Sequence, residues 1–170
     1  AKSAKFAKSD VESQKSGTNF FNAEKQSSRE AAKSAKPWPM VRLGGECEIL
    51  DSRRKPITTR DRISGLIPYY GATGIVDYVK DFIFDERLVL LGEDGAKWGS
   101  GDRSAFIIEG KAWVNNHAHV LRMSERIFDK FLVYYLNYSD LSYAITGVTV
   151  PKLNQQKMCE IQIPLPLIEV

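Results

Sequence analysis

The alternation of hydrophobic and polar positions predicts a strand-rich region between residues 66 and 123. Short apolar runs follow one another there, and glycine or polar turn residues separate them. Runs of this length and punctuation are typical of β-strands. The predicted strands cover residues 66–70, 75–79, 87–91, 105–108 and 112–123.

The period changes near residue 125, where large apolar residues recur at three- and four-residue intervals. They are Phe128, Phe131, Leu132, Tyr135 and Leu136. This spacing predicts an amphipathic helix of about 14 residues, with Ser124 as its cap. A second short helix is predicted at residues 153–160 and a last strand at 161–165. Nearer the start of the domain, residues 41–50 fit either a helix or a strand, and residues 51–62 are predicted to form a polar loop. We expect a mixed α/β domain of the α+β type, β-rich, with an irregular or barrel-like sheet and a few short helices.

Residues 1–36 differ from the rest because they repeat alanine, lysine and serine and hold few large apolar side chains. Such a segment cannot bury a core, so it is predicted to be a linker or a solvated helix. The prolines at 37 and 39 end it, because proline restricts the residue before it. The folded domain is therefore predicted at 37–168, as the last part of a longer polypeptide.

Charge is divided unevenly along the chain, whose net charge is +3. Residues 1–36 carry 8 Lys/Arg and 4 Asp/Glu, whereas residues 37–170 carry 16 and 17. A near-neutral domain lacks the strongly basic surface of a stand-alone nucleic-acid binder. Binding to DNA would therefore depend on local clusters or on partner chains.

Cysteine usage and hydropathy exclude several classes of protein. Cys47 and Cys159 have no Cys-x-x-Cys spacing, which argues against a structural zinc site and against a disulfide framework. No apolar run reaches the roughly 18 residues of a membrane span, and the first residues lack the apolar core of a secretory signal. We expect a cytoplasmic protein.

The two histidines of the chain, His117 and His119, raise the question of a metal site. On a strand, residues two apart point to the same face, so both imidazoles could bind one metal with a carboxylate of residues 93–94. Two ligands of one type are too few to define a site. Asn115 and Asn116 favour polar recognition instead, so we assign no metal ligand and no catalytic residue.

A magnesium-dependent nuclease is the alternative hypothesis. Glu109 and Lys111 follow an apolar strand, with Asp94 or Asp102 upstream, which imitates the Asp…Glu-x-Lys pattern of such enzymes. Gly110 between them favours a hairpin turn, where a catalytic group would be poorly held. The alternative would use Asp94, Glu109 and Lys111.

The loop at 97–103 has the composition of a DNA-contacting segment. Lys97, Trp98 and Arg103 place an aromatic ring between two cations, which suits groove insertion or stacking, and an ordinary surface loop fits equally well. Motifs of adenine methyltransferases are absent from the sequence: it has no Asn/Asp-Pro-Pro-aromatic stretch and no Phe-x-Gly-x-Gly loop. Any methyl transfer would belong to another domain or subunit.

Seven segments, taken in order, resemble a target recognition domain of type I restriction-modification specificity subunits. They are WPMVRLG with CEIL at 38–50, RKPI at 54–57, PYYGATGI at 68–75, GEDGA at 92–96, WVNNHAHVL at 113–121, PKLNQ at 151–155 and IPLP at 163–166. The resemblance covers about residues 38–168 and leaves out 1–36.

This resemblance implies a non-catalytic module that docks in the major groove and reads one half of a bipartite DNA target. It implies a DNA adenine methyltransferase as partner or fused domain, which would carry S-adenosylmethionine and flip the target base. A restriction motor-nuclease subunit is a further partner in that family. The family's subunits usually carry two such domains, and this chain holds one. A half-size subunit, a truncated chain or the C-terminal domain of a fused methyltransferase would each explain that, and the lysine-rich approach segment favours the fusion.

The expected DNA contacts follow from side-chain chemistry on this scaffold. Arg53, Arg54 and Lys55 are predicted to hold phosphates. Groups suited to reading bases are Tyr70, Thr73, Lys97, Arg103, Asn115 and Asn116. Trp98, His117 and Lys152 complete the predicted set. Because members of the family read different sequences on shared segments, the loop at 97–104 is the better candidate for specificity than the histidine segment.

Overall fold

The computed structural model describes residues 37–166. The predicted linker or helix at 1–36 and the residues 167–170 lie outside the described residues. Between 37 and 166 the chain forms short strands, two α-helices and several 3-10 turns. Neither of these helices is long and apolar enough to cross a bilayer.

Most strands belong to two four-stranded sheets. The first sheet has the order β2-β9-β6-β7 and is antiparallel throughout; its strands are β2 (Cys47–Ile49), β9 (Ala118–Met123), β6 (Leu88–Gly92) and β7 (Ala105–Ile108). The second has the order β4-β3-β8-β5; its strands are β4 (Gly74–Val79), β3 (Ser64–Gly71), β8 (Lys111–Val114) and β5 (Phe84–Asp85). β3 and β8 run parallel, so the second sheet is mixed. A separate ribbon pairs β1 (Met40–Arg42) with β10 (Gln162–Pro164).

The first sheet is covered on both faces, which explains the continuous apolar run of β6. Val89 and Leu91 belong to a core cluster that includes the helix residues Leu132 and Leu136. Leu88 and Leu90 belong to a second cluster, shared with side chains of β5 and β8. Successive side chains of a strand point to opposite faces. β6 therefore lies between a helical layer and the second sheet, and it has no solvent-facing side.

The helices are shorter than their periodicity predicts. α1 spans Asp129–Tyr138, 10 residues rather than about 14, and begins after Phe128. The predicted cap Ser124 instead donates its backbone N–H to the carbonyl oxygen of Glu46 at 2.9 Å. The prediction of this start was wrong because Ser124 is bonded to a distant segment. α2 spans Gln155–Glu160, within the predicted interval, and the side chain of Asn154 accepts from the N–H of Lys157.

Four predicted strands are confirmed, and the fifth, at 112–123, is two strands in different sheets. β8 ends at Val114, β9 begins at Ala118, and a turn at 115–117 separates them. The hairpin expected around Gly110 is also absent from the described fold, because β7 belongs to the first sheet and β8 to the second. Gly110 has a φ of 77° and turns the chain from one sheet to the other. The ambiguous stretch at 41–50 is strand, 3-10 turn, strand, and the loop at 51–62 contains two 3-10 turns.

Candidate nucleic-acid interface

Three strand ends meet at one end of the domain. β3 and β8 are parallel neighbours, with Tyr70 beside Val114, so their carboxyl ends reach the same edge. The tip of the β3–β4 hairpin, at 72–73, and the 115–117 turn follow there. The end of β6 joins them, because the N–H of Glu93 donates to the carbonyl oxygen of His117 at 2.8 Å. We call this the strand-end face; its solvent-accessible side chains include Thr73, Asn116, His117 and Lys152.

The 115–117 turn is held by hydrogen bonds along its whole length. Asn115 is 7% exposed, donates its N–H to Tyr70 O at 3.0 Å and accepts the N–H of His117 at 2.8 Å. The guanidinium of Arg54 donates to Ala118 O at 2.9 Å and lies 3.4 Å from the carbonyl oxygen of residue 116. The backbone of the turn is therefore fixed, while the side chains at 116 and 117 remain exposed.

A cluster of charged groups lies beneath this turn. We call it the charge cluster; its members are Asp51, Arg54, Glu93, His119 and Lys152. Glu93 is central: its two carboxylate oxygens meet Arg54 Nη1 at 2.5 Å and Lys152 Nζ at 2.7 Å. His119, 1% exposed, meets Asp51 at 2.6 Å and the carbonyl oxygen of Leu153 at 2.7 Å. Four stretches distant in sequence are thereby joined.

Both cluster carboxylates are stabilised in their ionised form. Burial acts to raise the pKa of Asp51, but the hydrogen bond from His119 and further contacts outweigh it, so that the pKa is lowered. For Glu93, too, burial acts upwards, and the hydrogen bonds from Lys152 and Arg54 bring its pKa below the ordinary value. The hydrogen bond to Glu93 in turn raises the pKa of Lys152. Asp51 and Glu93 are therefore carboxylates that form ion pairs with Arg54 and Lys152.

The same cluster contains the nearest approach to a metal site within residues 37–166. The ligand atoms of Asp51, Glu93 and His119 all lie within 4.8 Å of one another. Arg54 and Lys152 direct their positive charges at the same carboxylates, so the negative charge is already balanced. The expectation that the two histidines share a strand face was wrong. His117 lies in the turn, exposed and bonded to Asp94, whereas His119 is buried on β9.

The three predicted phosphate contacts have different surroundings. Arg53 donates to Ile83 O at 2.8 Å and its guanidinium lies 4.6 Å from the centre of the Phe84 ring. The Arg54 side chain is 13% exposed and lies in the charge cluster. Lys55 is exposed, is in no ion pair of residues 37–166, and lines a cavity of about 380 Å³ beside Trp113. Phosphate binding by all three stays a prediction, and the geometry favours Lys55.

The loop at 97–103 separates into a buried and an exposed part. Trp98 is 7% exposed, belongs to the core, and donates its indole N–H to Gly92 O at 3.0 Å, which does not fit the stacking expected of it. Lys97 and Arg103 are exposed, and neither is in an ion pair within the described part of the chain. The loop is tied to the end of α1, since the N–H of Gly101 donates to the carbonyl oxygen of residue 137 at 2.8 Å.

The remaining predicted base-reading residues lie at the strand-end face and differ in their solvent exposure. Thr73 is exposed at the hairpin tip. Tyr70 is half-buried, with its ring 5.9 Å from that of Phe106. Asn115 is buried in the turn, whereas Asn116 is exposed and its side-chain amide takes part in no hydrogen bond among residues 37–166. Of these four, Thr73 and Asn116 are therefore the most accessible.

The nuclease triplet does not assemble. Asp94 follows the Leu91 end of the β6–β7 pair and Glu109 the opposite end, roughly 10 Å or more away by the rise of the strands. Glu109 pairs with Arg87 at 2.9 Å, and the ammonium of Lys111 lies over a phenylalanine ring. The alternative hypothesis was wrong, because its three groups belong to separate local contacts.

The charge cluster has no local signature in the sequence. Asp51, Glu93 and His119 were not assigned together, although each lies in or beside a segment that carries the family resemblance. His119 bonds to Leu153, 34 positions away, and Asp51 bonds to Val120, 69 positions away. Contacts over such separations leave no local spacing in the sequence that would mark them. The signal available in the sequence was the order of the segments.

Comparisons with known proteins agree on one family. The profile described as type I restriction modification DNA specificity domain matches residues 35–170. A chain named as a type I restriction enzyme specificity subunit, from Haemophilus influenzae, is 37% identical over 125 residues, which are 72% of this chain and 31% of that relative. The chain thus spans about a third of the length of this curated relative.

Solved structures share the fold at low sequence identity. The S subunit of a type I restriction-modification system from M. genitalium has a TM-score of 0.59 at 19% identity, covering 79% of this chain and 35% of that one. The HsdS subunit of Thermoanaerobacter tengcongensis has a TM-score of 0.51 at 16% identity, covering 92% and 44%. The expected β-rich α+β architecture is confirmed. By the match over residues 35–170, the chain belongs to the family of type I restriction modification DNA specificity domains.

Proposed function

We propose that this chain reads one half of a bipartite target in duplex DNA and presents it to a DNA adenine methyltransferase, without catalysing a reaction itself. The methyltransferase, as a partner subunit or a fused domain, would supply S-adenosylmethionine. A restriction motor-nuclease subunit is a further proposed partner. The observation that carries the proposal is membership in the DNA specificity domain family over residues 35–170.

The surface chemistry supports this proposal. Lys55, Lys97 and Arg103 are exposed cations that no acidic side chain of residues 37–166 neutralises, so they are available to phosphates or base edges. Thr73 and Asn116 present a hydroxyl and an amide, which suit base reading in the major groove. Sequence is read by polar side chains that meet base edges, and a rigid scaffold holds such side chains in place.

A selection experiment tests the proposal directly. The full polypeptide, purified with the subunits that accompany it in its host, is mixed with a library of random-sequence DNA duplexes, and bound duplexes are sequenced. We expect enrichment of one short sequence and affinity that falls steeply with salt. Lys97→Ala and Arg103→Ala should change the enriched sequence, whereas Lys55→Ala should weaken binding to all duplexes alike.

Lys130→Ala is the matched control, because Lys130 is also an exposed lysine in no ion pair within residues 37–166, and it lies on α1. It removes the same charge at the start of α1, outside the 97–103 loop. If the wild-type assembly enriches no sequence, the proposed function is wrong. Equal effects of Lys97→Ala and Lys130→Ala would reduce the role of the 97–103 loop to general charge.

A further inference from the structure

We propose that Arg54 is a positioning residue for DNA reading: it fixes the 115–117 turn so that the side chain of Asn116 meets a base edge. This inference rests on the proposed function and specifies how one site carries it out. It replaces the phosphate contact that the sequence predicts for Arg54 with an indirect role.

The surroundings of Arg54 leave it little capacity to bind a phosphate. Its Nε donates to the carbonyl oxygen of Asp51 at 3.1 Å, and its Nη2 lies 3.4 Å from the carboxylate of the same residue. Its Nη1 meets Glu93 at 2.5 Å and Ala118 O at 2.9 Å. All three guanidinium nitrogens are thus engaged within the protein, and the side chain is 13% exposed. A phosphate would have to displace an ion pair that is already formed.

The same contacts determine where the 115–117 turn lies. Arg54 holds the chain on both sides of His117, through the carbonyl oxygens of residues 116 and 118. On the opposite side, Glu93 and Asp94 donate their N–H groups to His117 O, at 2.8 and 3.4 Å. Because Glu93 is also the main ion-pair partner of Arg54, one contact connects both supports of the turn. Loss of the guanidinium would remove the hydrogen-bond donor of two backbone carbonyls and the main ion-pair partner of the Glu93 carboxylate.

Asn116 is the side chain that this support presents. It is exposed, and neither its amide oxygen nor its amide nitrogen has a hydrogen-bond partner among residues 37–166. An asparagine amide offers a donor and an acceptor together, which matches the major-groove edge of adenine. Such a contact discriminates only if the amide is held within a fraction of an ångström. A rigid turn with a free amide at its tip meets that requirement.

The test compares Arg54→Ala, Asn116→Ala and the control Arg42→Ala in the full assembly. The probes are a duplex with the enriched sequence and a matched duplex with that sequence scrambled. For both Arg54→Ala and Asn116→Ala we expect discrimination between the two duplexes to fall roughly tenfold, the order of one lost base contact. The salt dependence of Arg54→Ala should equal that of the wild type, because no phosphate contact is removed. Arg42 is an exposed arginine on β1 that is in no ion pair among residues 37–166, so Arg42→Ala removes the same charge away from the turn and should retain discrimination.

The outcomes separate three roles for Arg54. A salt slope that falls by about one with unchanged discrimination would make Arg54 a phosphate contact and overturn the proposal. A lower melting temperature with wild-type discrimination below that temperature would make it purely structural, and would also overturn it. If Arg54→Ala does not fold, Arg54→Lys and Asn116→Ala are compared instead. Lysine keeps the positive charge but lacks the several N–H donors of the planar guanidinium, so we expect Arg54→Lys to discriminate between the two duplexes less well than the wild type. A wild-type assembly with no sequence preference would instead refute the proposed function.

Discussion

Glu93→Gln is the sharpest test of the charge cluster as a stabilising element. The substitution keeps nearly the same shape and removes one negative charge that faces two cations, Arg54 at 2.5 Å and Lys152 at 2.7 Å. The Glu93 residue is 8% exposed, so water has little access to solvate the Arg54 guanidinium once the negative charge is removed. Removing one partner of a buried ion pair costs about 3–5 kcal/mol.

Partial exposure lowers that figure. The Lys152 side chain is 44% exposed, so its ammonium can recover hydration when Glu93 is neutral. Glutamine also retains an acceptor oxygen for one of the two cations. We therefore expect Glu93→Gln to lower the free energy of unfolding by roughly 2–4 kcal/mol. In urea titrations this corresponds to a midpoint lower by about 1–2 M, for an m-value near 2 kcal/mol/M.

The matched control is Glu160→Gln, whose carboxylate pairs with Lys157 at 2.9 Å with both side chains 45% exposed. That pair is expected to contribute little to stability, because both side chains are exposed and solvent screens their charges. The double variant Glu93→Gln with Lys152→Gln should lose less than the sum of the single variants, with a coupling of about 0.5–3 kcal/mol. Equal losses for Glu93→Gln and Glu160→Gln would refute the reasoning that burial makes the cluster strong.

Three further predictions concern the core, the pH dependence and one tight contact. Trp98→Phe should lower the unfolding free energy by about 1–2 kcal/mol, since Gly92 O loses its donor, and leave DNA affinity unchanged; a large loss of affinity in a binding titration would argue for a direct contact instead. The pKa of Asp51 is lowered in the folded state, so its carboxylate stabilises the fold at pH values above the ordinary pKa of 3.8, and this stabilisation is lost as pH falls through the lower folded pKa. In Asp51→Asn, the melting temperature should therefore fall less steeply with decreasing pH than in the wild type. Gly65→Ala should destabilise the β3–β4 bulge, because a Cβ would lie 2.4 Å from Val79 O; an unchanged urea midpoint would contradict this.

Local patterns predicted most of the strands, because the length of an apolar run and its alternation with polar residues depend on the strand's own length and burial. β6 is an apolar run because both of its faces are covered, and the run was visible without its neighbours. α1 was predicted from its buried face, and its start was wrong because the alternative bond of Ser124 goes to Glu46, 78 positions away. Periodicity also continued across 112–123, although the chain changes sheets there.

The candidate site was partly predicted and partly not. The strand-end face contains residues that were predicted as DNA contacts from their side-chain chemistry, among them Thr73, Asn116 and Lys152. Their chemistry alone could not separate a presented side chain from a supporting one. Trp98 illustrates this limit, since an aromatic residue between two cations on a glycine-rich loop is compatible with stacking on DNA and equally with burial in the core.

By itself, the sequence determined the β-rich α+β class, the approximate strands and the family, because these depend on local pattern and on the order of segments. Only the tertiary structure decided the role of each charge. Arg54 pairs with Glu93, 39 positions away, and donates to Ala118 O, 64 positions away. Whether an arginine faces solvent or an internal carboxylate depends on which distant segments the fold brings together, and the free energy of burying its charge depends on those partners.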